Sequence, residues 1–293
     1  MNGEGFDTEE TGNGRLSAHA VLVKLSYAYR SDPGAQRPTN EDFAGAHAPG
    51  TPDDSWEHGA LFVLADGLGG HAAGEVASRV AVETILQRWT EGPGGQPHQS
   101  LRAAVRDANA AVFDAAMEHG RRGMGTTLTA LTLCAREAII AHVGDSRAYL
   151  VRGGHCTQLT SDHSRAAEMV RMKLITPEQA ANHPARSMLT RSLGGEPAVQ
   201  IDIIKQPIDN DDVVVLCSDG LWDLVSRAEI AEVCGAVGSP GFPTPNEAAA
   251  HLVDLALKRG APDNITVLVI RITSPLPFPP APTRRSFFRR GGG

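Results

Sequence analysis

The chain has 293 residues, 41% of them hydrophobic, with 27 Lys and Arg against 34 Asp and Glu for a formal net charge of −7. That length can bury a sizeable core in one large domain or two small ones, and no shift of composition divides it. The acidic balance argues against nucleic acid as the main partner, no apolar run approaches the roughly 18 residues of a membrane span, and Met1–Thr11 lacks the basic-then-apolar order of an export signal, so the expectation is a cytoplasmic protein with no integral membrane segment.

In chain order, residues 1–18 are Gly-rich and polar and read as a disordered leader, and residues 19–272 as the folded domain. Leu61 to Ala65 is a short apolar run that reads as a buried strand. Val76, Val80, Leu86 and Trp89 follow helical spacing, as do Leu101, Val105, Ala108 and Val112, and the Gly- and Pro-rich break at 91–95 makes them a helical hairpin. Thr127 to Leu133, Ala138 to Val143 and Ala148 to Val151 read as strands, with Gly144-Asp145-Ser146-Arg147 as a tight hairpin turn between the last two. Ala166 to Ala181, with Pro177 inside it, reads as a helical surface excursion whose Met169, Met172 and Leu174 close over the body. Val213 to Cys217 is a further buried strand, 227–234 and 246–259 are helices, and Ile265 to Ile270 is the last strand. Residues 273–293 are Pro-rich and then Arg-rich and read as a semi-rigid tail, for which a solubilising end, a docking segment, contact with an anionic membrane surface and a visitor to the acidic cleft all stay open. Cys134, Cys156, Cys217 and Cys234 form no C-x-x-C pair and read as reduced, small hydrophobic residues.

Four acidic clusters punctuate this order: Asn40-Glu41-Asp42, Asp66-Gly67, Ser218-Asp219-Gly220 and Asp263-Asn264. Each lies where an apolar run meets Gly or Asn, so the carboxylates should gather at strand ends, and the glycine after Asp66 should let the backbone turn and expose its carbonyl. Gathered carboxylates repel one another unless cations neutralise them. A donor set made only of oxygen suits Mg²⁺ or Mn²⁺ better than zinc. Arg37, four residues before Glu41, is either a salt-bridge partner or a fork for a phosphate.

Arg37-Pro38-Thr39-Asn40-Glu41-Asp42, Asp66-Gly67-Leu68-Gly69-Gly70-His71, Gly125-Thr126-Thr127, Val143-Gly144-Asp145-Ser146-Arg147, Leu159-Thr160-Ser161-Asp162-His163-Ser164, Ser218-Asp219-Gly220-Leu221-Trp222-Asp223 and Asp263-Asn264-Ile265-Thr266 follow one another as in the metal-dependent type 2C protein phosphatases. Over roughly residues 20–272 the chain resembles the bacterial branch of that family. The resemblance implies an α+β fold, a β-sandwich of two packed mixed or antiparallel sheets with helices on both sides in four layers, αββα. It also implies hydrolysis of phosphoserine and phosphothreonine in proteins by a water activated between two Mn²⁺ or Mg²⁺ ions, with a bacterial Ser/Thr kinase as counterpart and a monomeric enzyme. By the same likeness Asp66 bridges the ions, Asp219 and Asp263 hold one, and the Gly67 carbonyl and Glu41, directly or through water, hold the other. Asp145 holds a third, weaker ion, Asp42 and Asn264 support the ligands from behind, and Arg37 binds the substrate phosphate. Many relatives place a histidine directly after the Asp-Gly as proton donor, whereas this chain has Leu68; His71 reads as orienting the turn, and metal-held water as supplying the proton. His142 reads as a satisfied core histidine, His163 and His183 as polar loop residues, and Trp222 as core.

Overall fold

The computed structural model describes residues 25–48, 59–69, 72–92, 95–117, 123–134, 136–238 and 244–273. The expected leader at 1–18 and the tail beyond Thr273 lie outside the described residues. Among those described there are eleven strands and seven helices, in the order β1 (Leu25–Asp32), β2 (Asp42–His47), β3 (Ala60–Leu68), α1 (Ala72–Glu91), α2 (Pro97–Ala116), β4 (Gly125–Thr126), β5 (Leu128–Cys134), β6 (Glu137–Val143), β7 (Arg147–Arg152), β8 (His155–Gln158), α3 (Arg165–Arg171), α4 (Pro177–Ala181), β9 (Asp202–Pro207), β10 (Val213–Cys217), α5 (Asp219–Trp222), α6 (Arg227–Gly235), α7 (Pro245–Lys258) and β11 (Ile265–Ile272).

One sheet runs β1-β11-β10-β7-β8 and the other β2-β3-β5-β6-β9, with β4 paired to β3. Every named strand pair is antiparallel. The alternation of strand side chains builds three cores from continuous apolar runs. In β3, Leu61, Val63 and Ala65 face α1 and α2, whereas Ala60, Phe62 and Leu64 face the opposite sheet. In β10 and β11, Val213, Val215, Cys217, Val267 and Val269 pack under α6 and α7, and Val214, Leu216, Leu268 and Ile270 meet the sheet of β3, β5 and β6 across the sandwich. Two buried faces per strand explain why these runs are apolar at every position, and the result is the four-layer αββα arrangement.

The helices have local causes. Thr244 and Ser226 close capping boxes with Glu247 and Glu229 at the starts of α7 and α6. The excursion at 166–181 is not one helix. Lys173 has φ 58, and Thr176 with Pro177 starts a second short helix through its own capping box, so α3 and α4 are separate pieces. Met172 and Leu174 are 66% and 67% exposed, and so do not close over the body as their apolar character suggested. The stretch 144–147 is also not a hairpin within one sheet: β6 belongs to one sheet and β7 to the other, so Gly144-Asp145-Ser146 is the crossing between them. The four cysteines are free.

Phe62 is fully buried between the sheets and meets Tyr27 edge to face, with ring centroids 5.0 Å apart. Phe62→Ala should lower unfolding free energy by about 3–5 kcal/mol, whereas Leu174→Ala on the exposed excursion should stay within about 0.5 kcal/mol of the parent; urea titrations of both variants check the contrast.

Candidate active site

Strand register carries the acidic clusters to one end of the sandwich. Asp42 opens β2 directly opposite Asp66 of β3. In the other sheet Cys217, the last residue of β10, pairs with Val267 and Arg147, which puts Asp219 beside both the start of β11 and the crossing that bears Asp145. Asp263 and Asn264 lead into β11 at the same end.

Close backbone approach brings these pieces together. Gly67 lies within β3 with ordinary strand geometry, so it is not a turn residue; a Cβ there would stand 2.2 Å from the Gly74 carbonyl oxygen and 2.5 Å from that of Glu41. At Gly74 a Cβ would stand 2.8 Å from Glu41 Cδ, so the absent side chain lets the Glu41 carboxylate lie against the first turn of α1, where the helix N-terminus favours negative charge. Gly220 does the same for α5, since its Cβ would fall 2.1 Å from the Asn264 carbonyl oxygen. Asn264 then staples the loop before β2: its Oδ1 accepts from the Glu41 N–H at 2.8 Å and its Nδ2 donates to the carbonyls of Pro33 and Thr39, each at 2.9 Å. Behind Asp66, the Asp66 N–H donates to Thr127 Oγ1 at 3.0 Å and the Asp66 carbonyl accepts from the Thr127 N–H at 2.8 Å.

The electrostatics follow from this crowding. Burial and then the Asp42, Asp219, Asp145 and Asp263 charges push Asp66 well above the usual carboxylate range. Burial and then Asp145, Asp263 and Asp42 do the same to Asp219. Burial lifts Asp42 to about 6 although Ser218 Oγ donates to it at 2.7 Å, and burial followed by the Asp162 charge lifts Asp145 to about 7. Two cations lie close to this set: Arg147, whose charge acts on Asp145, and Arg37, whose NH2 donates to Asp263 Oδ2 at 2.7 Å while 46% of its side chain stays exposed. Of the two readings left open for Arg37, the ion pair is the one seen, and the exposed remainder keeps the second available.

Among the described residues, no three His, Cys, Asp or Glu side chains are already drawn close enough around one point to hold an ion as they stand. The fit of a divalent cation therefore rests on the donors and on the room between them. The donors are oxygens throughout, two of the carboxylates are protonated more readily than a free one because they are buried and have anions as neighbours, and Gly67 and Gly74 leave backbone and carboxylate oxygens unobstructed. Such a set fits a hard cation, and Asp66, Gly67, Asp219, Asp263, Glu41 and Asp145 are the residues that could hold it.

Two residues do more than sequence suggested. Trp222 is half-buried, donates its indole N–H to the Asp145 carbonyl at 3.0 Å and has the Arg147 guanidinium stacked 3.5 Å from its ring centroid. His163 is buried and hydrogen-bonded to Gly144, so it is not a polar loop residue. His142 is a core histidine bonded to Thr129 through Nδ1, and burial lowers its pKa to about 4. Leu68 is half-buried and has no titratable group, and His71 lies outside the described residues.

A family profile described as protein phosphatase 2C matches residues 51–255. The chain belongs to that family. It is 41% identical over 252 residues to the serine/threonine protein phosphatase PstP of Mycobacterium tuberculosis, an alignment that takes in 85% of this chain and 45% of the relative, so the chain spans about half the length of that protein. It is 36% identical over 247 residues to the serine/threonine phosphatase stp of Listeria monocytogenes, covering 83% of this chain and 94% of the relative. Among solved structures, the PstP catalytic domain in complex with two manganese ions superposes with a TM-score of 0.72 at 38% identity, covering 86% of this chain and all of that one. The α+β sandwich expected from the motifs is therefore the fold of its relatives.

The raised carboxylates give a directional expectation. Free carboxylates titrate near 4, so between about pH 4 and the folded values of about 6 for Asp42 and about 7 for Asp145 the folded, metal-free protein holds protons that the unfolded chain releases. Their contribution to stability is complete below about pH 4 and is lost as pH rises through those values. Adding Mn²⁺ at about pH 6 should displace these protons, at least about one per chain, and the release should shrink in Asp145→Asn; an indicator dye in lightly buffered solution reads it directly.

Proposed function

We propose that the chain is a metal-dependent protein serine/threonine phosphatase that hydrolyses phosphoserine and phosphothreonine in a bacterium and opposes eukaryotic-like Ser/Thr kinases. The observation that carries this reading is the convergence of Asp66, Asp219, Asp42 and Asp145 at one sandwich end, where burial and then the neighbouring charges raise the proton affinity of Asp66 and Asp219. Family membership and the manganese-bound PstP domain support it from outside the chain.

Asp66, Asp219, Asp263, Glu41, the Gly67 carbonyl and, for a third and weaker site, Asp145 would hold two or three Mn²⁺ or Mg²⁺ ions. Bound divalent ions there would acidify water and neutralise phosphoryl charge. The rest is done by the protein's own groups. Asp42 and Asn264 support the ligands from behind, the first through Ser218 and the second through the Glu41 N–H. Arg37 keeps one edge on Asp263 and presents its exposed edge to phosphoryl oxygens, a bidentate task suited to a guanidinium. The buried floor of Thr127, Ser146 and Ser218 fixes the backbone behind Asp66 and Asp219, so the carboxylates do not have to reorganise as charge shifts during phosphoryl transfer.

The substrates in this reading are phosphorylated proteins, the enzyme is a monomer, and its place is the cytoplasm. Four free cysteines favour a reducing compartment, and no helix among the described residues is long and apolar enough to cross a membrane.

Phosphate release from a phosphothreonine peptide should require Mn²⁺ or Mg²⁺ and be abolished by Asp219→Asn with the fold intact by circular dichroism. Arg37→Ala should lower kcat/KM about 100-fold while leaving metal dependence in place. No turnover from folded, metal-loaded parent protein would instead make the chain a phosphoprotein-binding module.

A further inference from the structure

The main chain around Asp145 is gripped from two directions. On one side Trp222, which ends the short helix that Asp219 begins, donates its indole N–H to the Asp145 carbonyl. On the other side His163 makes two bonds to Gly144: the Gly144 N–H donates to His163 Nδ1 at 3.1 Å, and the His163 N–H donates to the Gly144 carbonyl at 2.7 Å. A ring nitrogen that accepts from a main-chain N–H carries no proton, so the proton of this neutral imidazole is on Nε2. Nε2 lies 3.2 Å from Asp202 Oδ2 and donates to it, while Arg191 holds the other oxygen of that carboxylate at 2.9 Å. The 3.2 Å approach of Arg191 to Nε2 then sets donor against donor and adds no bond. Gly144, with φ +111, sits so close to Thr127 that an added Cβ would stand 2.6 Å from Thr127 Cβ, so the crossing needs glycine there.

The same histidine stands at the root of the excursion that carries α3 and α4. Its carbonyl accepts from the Thr190 N–H at 2.8 Å, Ser164 bridges Leu189, and the Arg165 N–H donates to the Met188 carbonyl at 2.8 Å, so the two legs of residues 164–190 are joined at His163. Beyond that root the excursion buries little: Ala166 is the buried residue of α3, and α4 has none.

We propose that His163 is a positioning residue that bolts the root of the 164–190 excursion to the Gly144-Asp145 crossing, so that the excursion and the Asp145 carboxylate are held as one unit. The importance of this to catalysis rests on the phosphatase reading, since Asp145 is one of the carboxylates proposed to hold ions. An imidazole suits the task because it accepts on one edge and donates on the other. Asparagine can reproduce the acceptor toward Gly144, glutamine can reach Asp202 only, and leucine fills space with neither.

The test uses the full chain with His163→Asn, His163→Gln and His163→Leu, followed by amide hydrogen exchange in chelator, by ring ¹⁵N shifts of the parent, and by Mn²⁺ titration read from the electron paramagnetic resonance of free Mn²⁺. The expected ring state is the Nε2–H tautomer. His163→Leu and His163→Gln should speed exchange in 144–147 and 164–190 together by about tenfold, the effect of losing one hydrogen bond to a buried group, and weaken the weakest Mn²⁺ site by a similar factor. His163→Asn should keep 144–147 near the parent. Parental exchange in His163→Leu, loosening of one segment without the other, equal losses in Asn and Leu, or an Nδ1–H tautomer would each overturn the proposal. If Leu does not fold, the Asn and Gln pair still decides it. Exchange, tautomer and metal binding need no turnover, so a chain that proves inactive fails the phosphatase reading without deciding this one.

Discussion

Mutual repulsion among buried and half-buried carboxylates is the constraint around which this molecule is arranged. Asp42 and Asp66 face each other across a strand pair, with Asp145 and Asp219 arriving from the other sheet; burial is the first cause that disfavours their charged forms, and neighbouring charges add to it. Such a cluster destabilises the fold that holds it. It persists because three apolar layers over-determine the strand positions, and because the side chains of Ser218, Thr127 and Asn264 accept from the backbone N–H groups of Thr266, Asp66 and Glu41, bonds that hold whatever the charge state of the acids. A destabilised, preorganised cluster is also what makes cation binding favourable, since a hard ion relieves the repulsion and displaces the protons the acids retain.

Geometry at this end of the sandwich depends on missing side chains as much as on present ones. Gly67, Gly74 and Gly220 are placed where a Cβ would strike a carbonyl oxygen or a carboxylate at under 3 Å, and each lets two acidic segments touch. At Gly67 and Gly220 the need is for close approach, since neither has a positive φ. The crossing at Gly144 is different, because there the left-handed backbone and the contact with Thr127 act together. An alanine at Gly67 would push Glu41 and α1 away from Asp66, and so would act on the acidic cluster through the backbone.

The strands buried on both faces were legible from sequence because they are apolar at every position, and the candidate site was legible because acids follow such runs at recurring Asp-Gly and Asp-Asn steps. The edge and near-edge strands β1, β2, β8 and β9 were not, since half-exposed strands such as Leu25–Asp32 and Asp202–Pro207 mix Tyr, Arg, Lys and Asp with few apolar residues. Asp145 was placed in a hairpin because local pattern does not say which sheet a strand will join; the crossing is a tertiary choice. His163 gave no local signal either. Its partners Gly144 and Asp202 lie 19 and 39 residues away, and a histidine in a polar stretch looks the same whether it faces water or the interior. Met172 and Leu174 erred in the opposite sense, apolar residues taken for lid contacts that the structure leaves in solvent.

The site therefore has a rigid floor and a loosely packed rim. The floor is β3, β5, β10 and β11, buried along most of their length, and it sets where the acids stand. The rim is residues 164–190, two short helices with almost no buried side chains, attached by a few bonds near His163 and by an ion pair from Arg186 to Asp223 beside the acidic end. Low burial implies low local opening free energy, so α3 and α4 can rearrange without disturbing the floor as long as the root at His163 stays joined to the Asp145 crossing. Free of packing demands, the rim turns Arg165, Arg171, Met172, Lys173 and Leu174 to solvent, so its surface chemistry is set independently of the apolar layers that fix the acids.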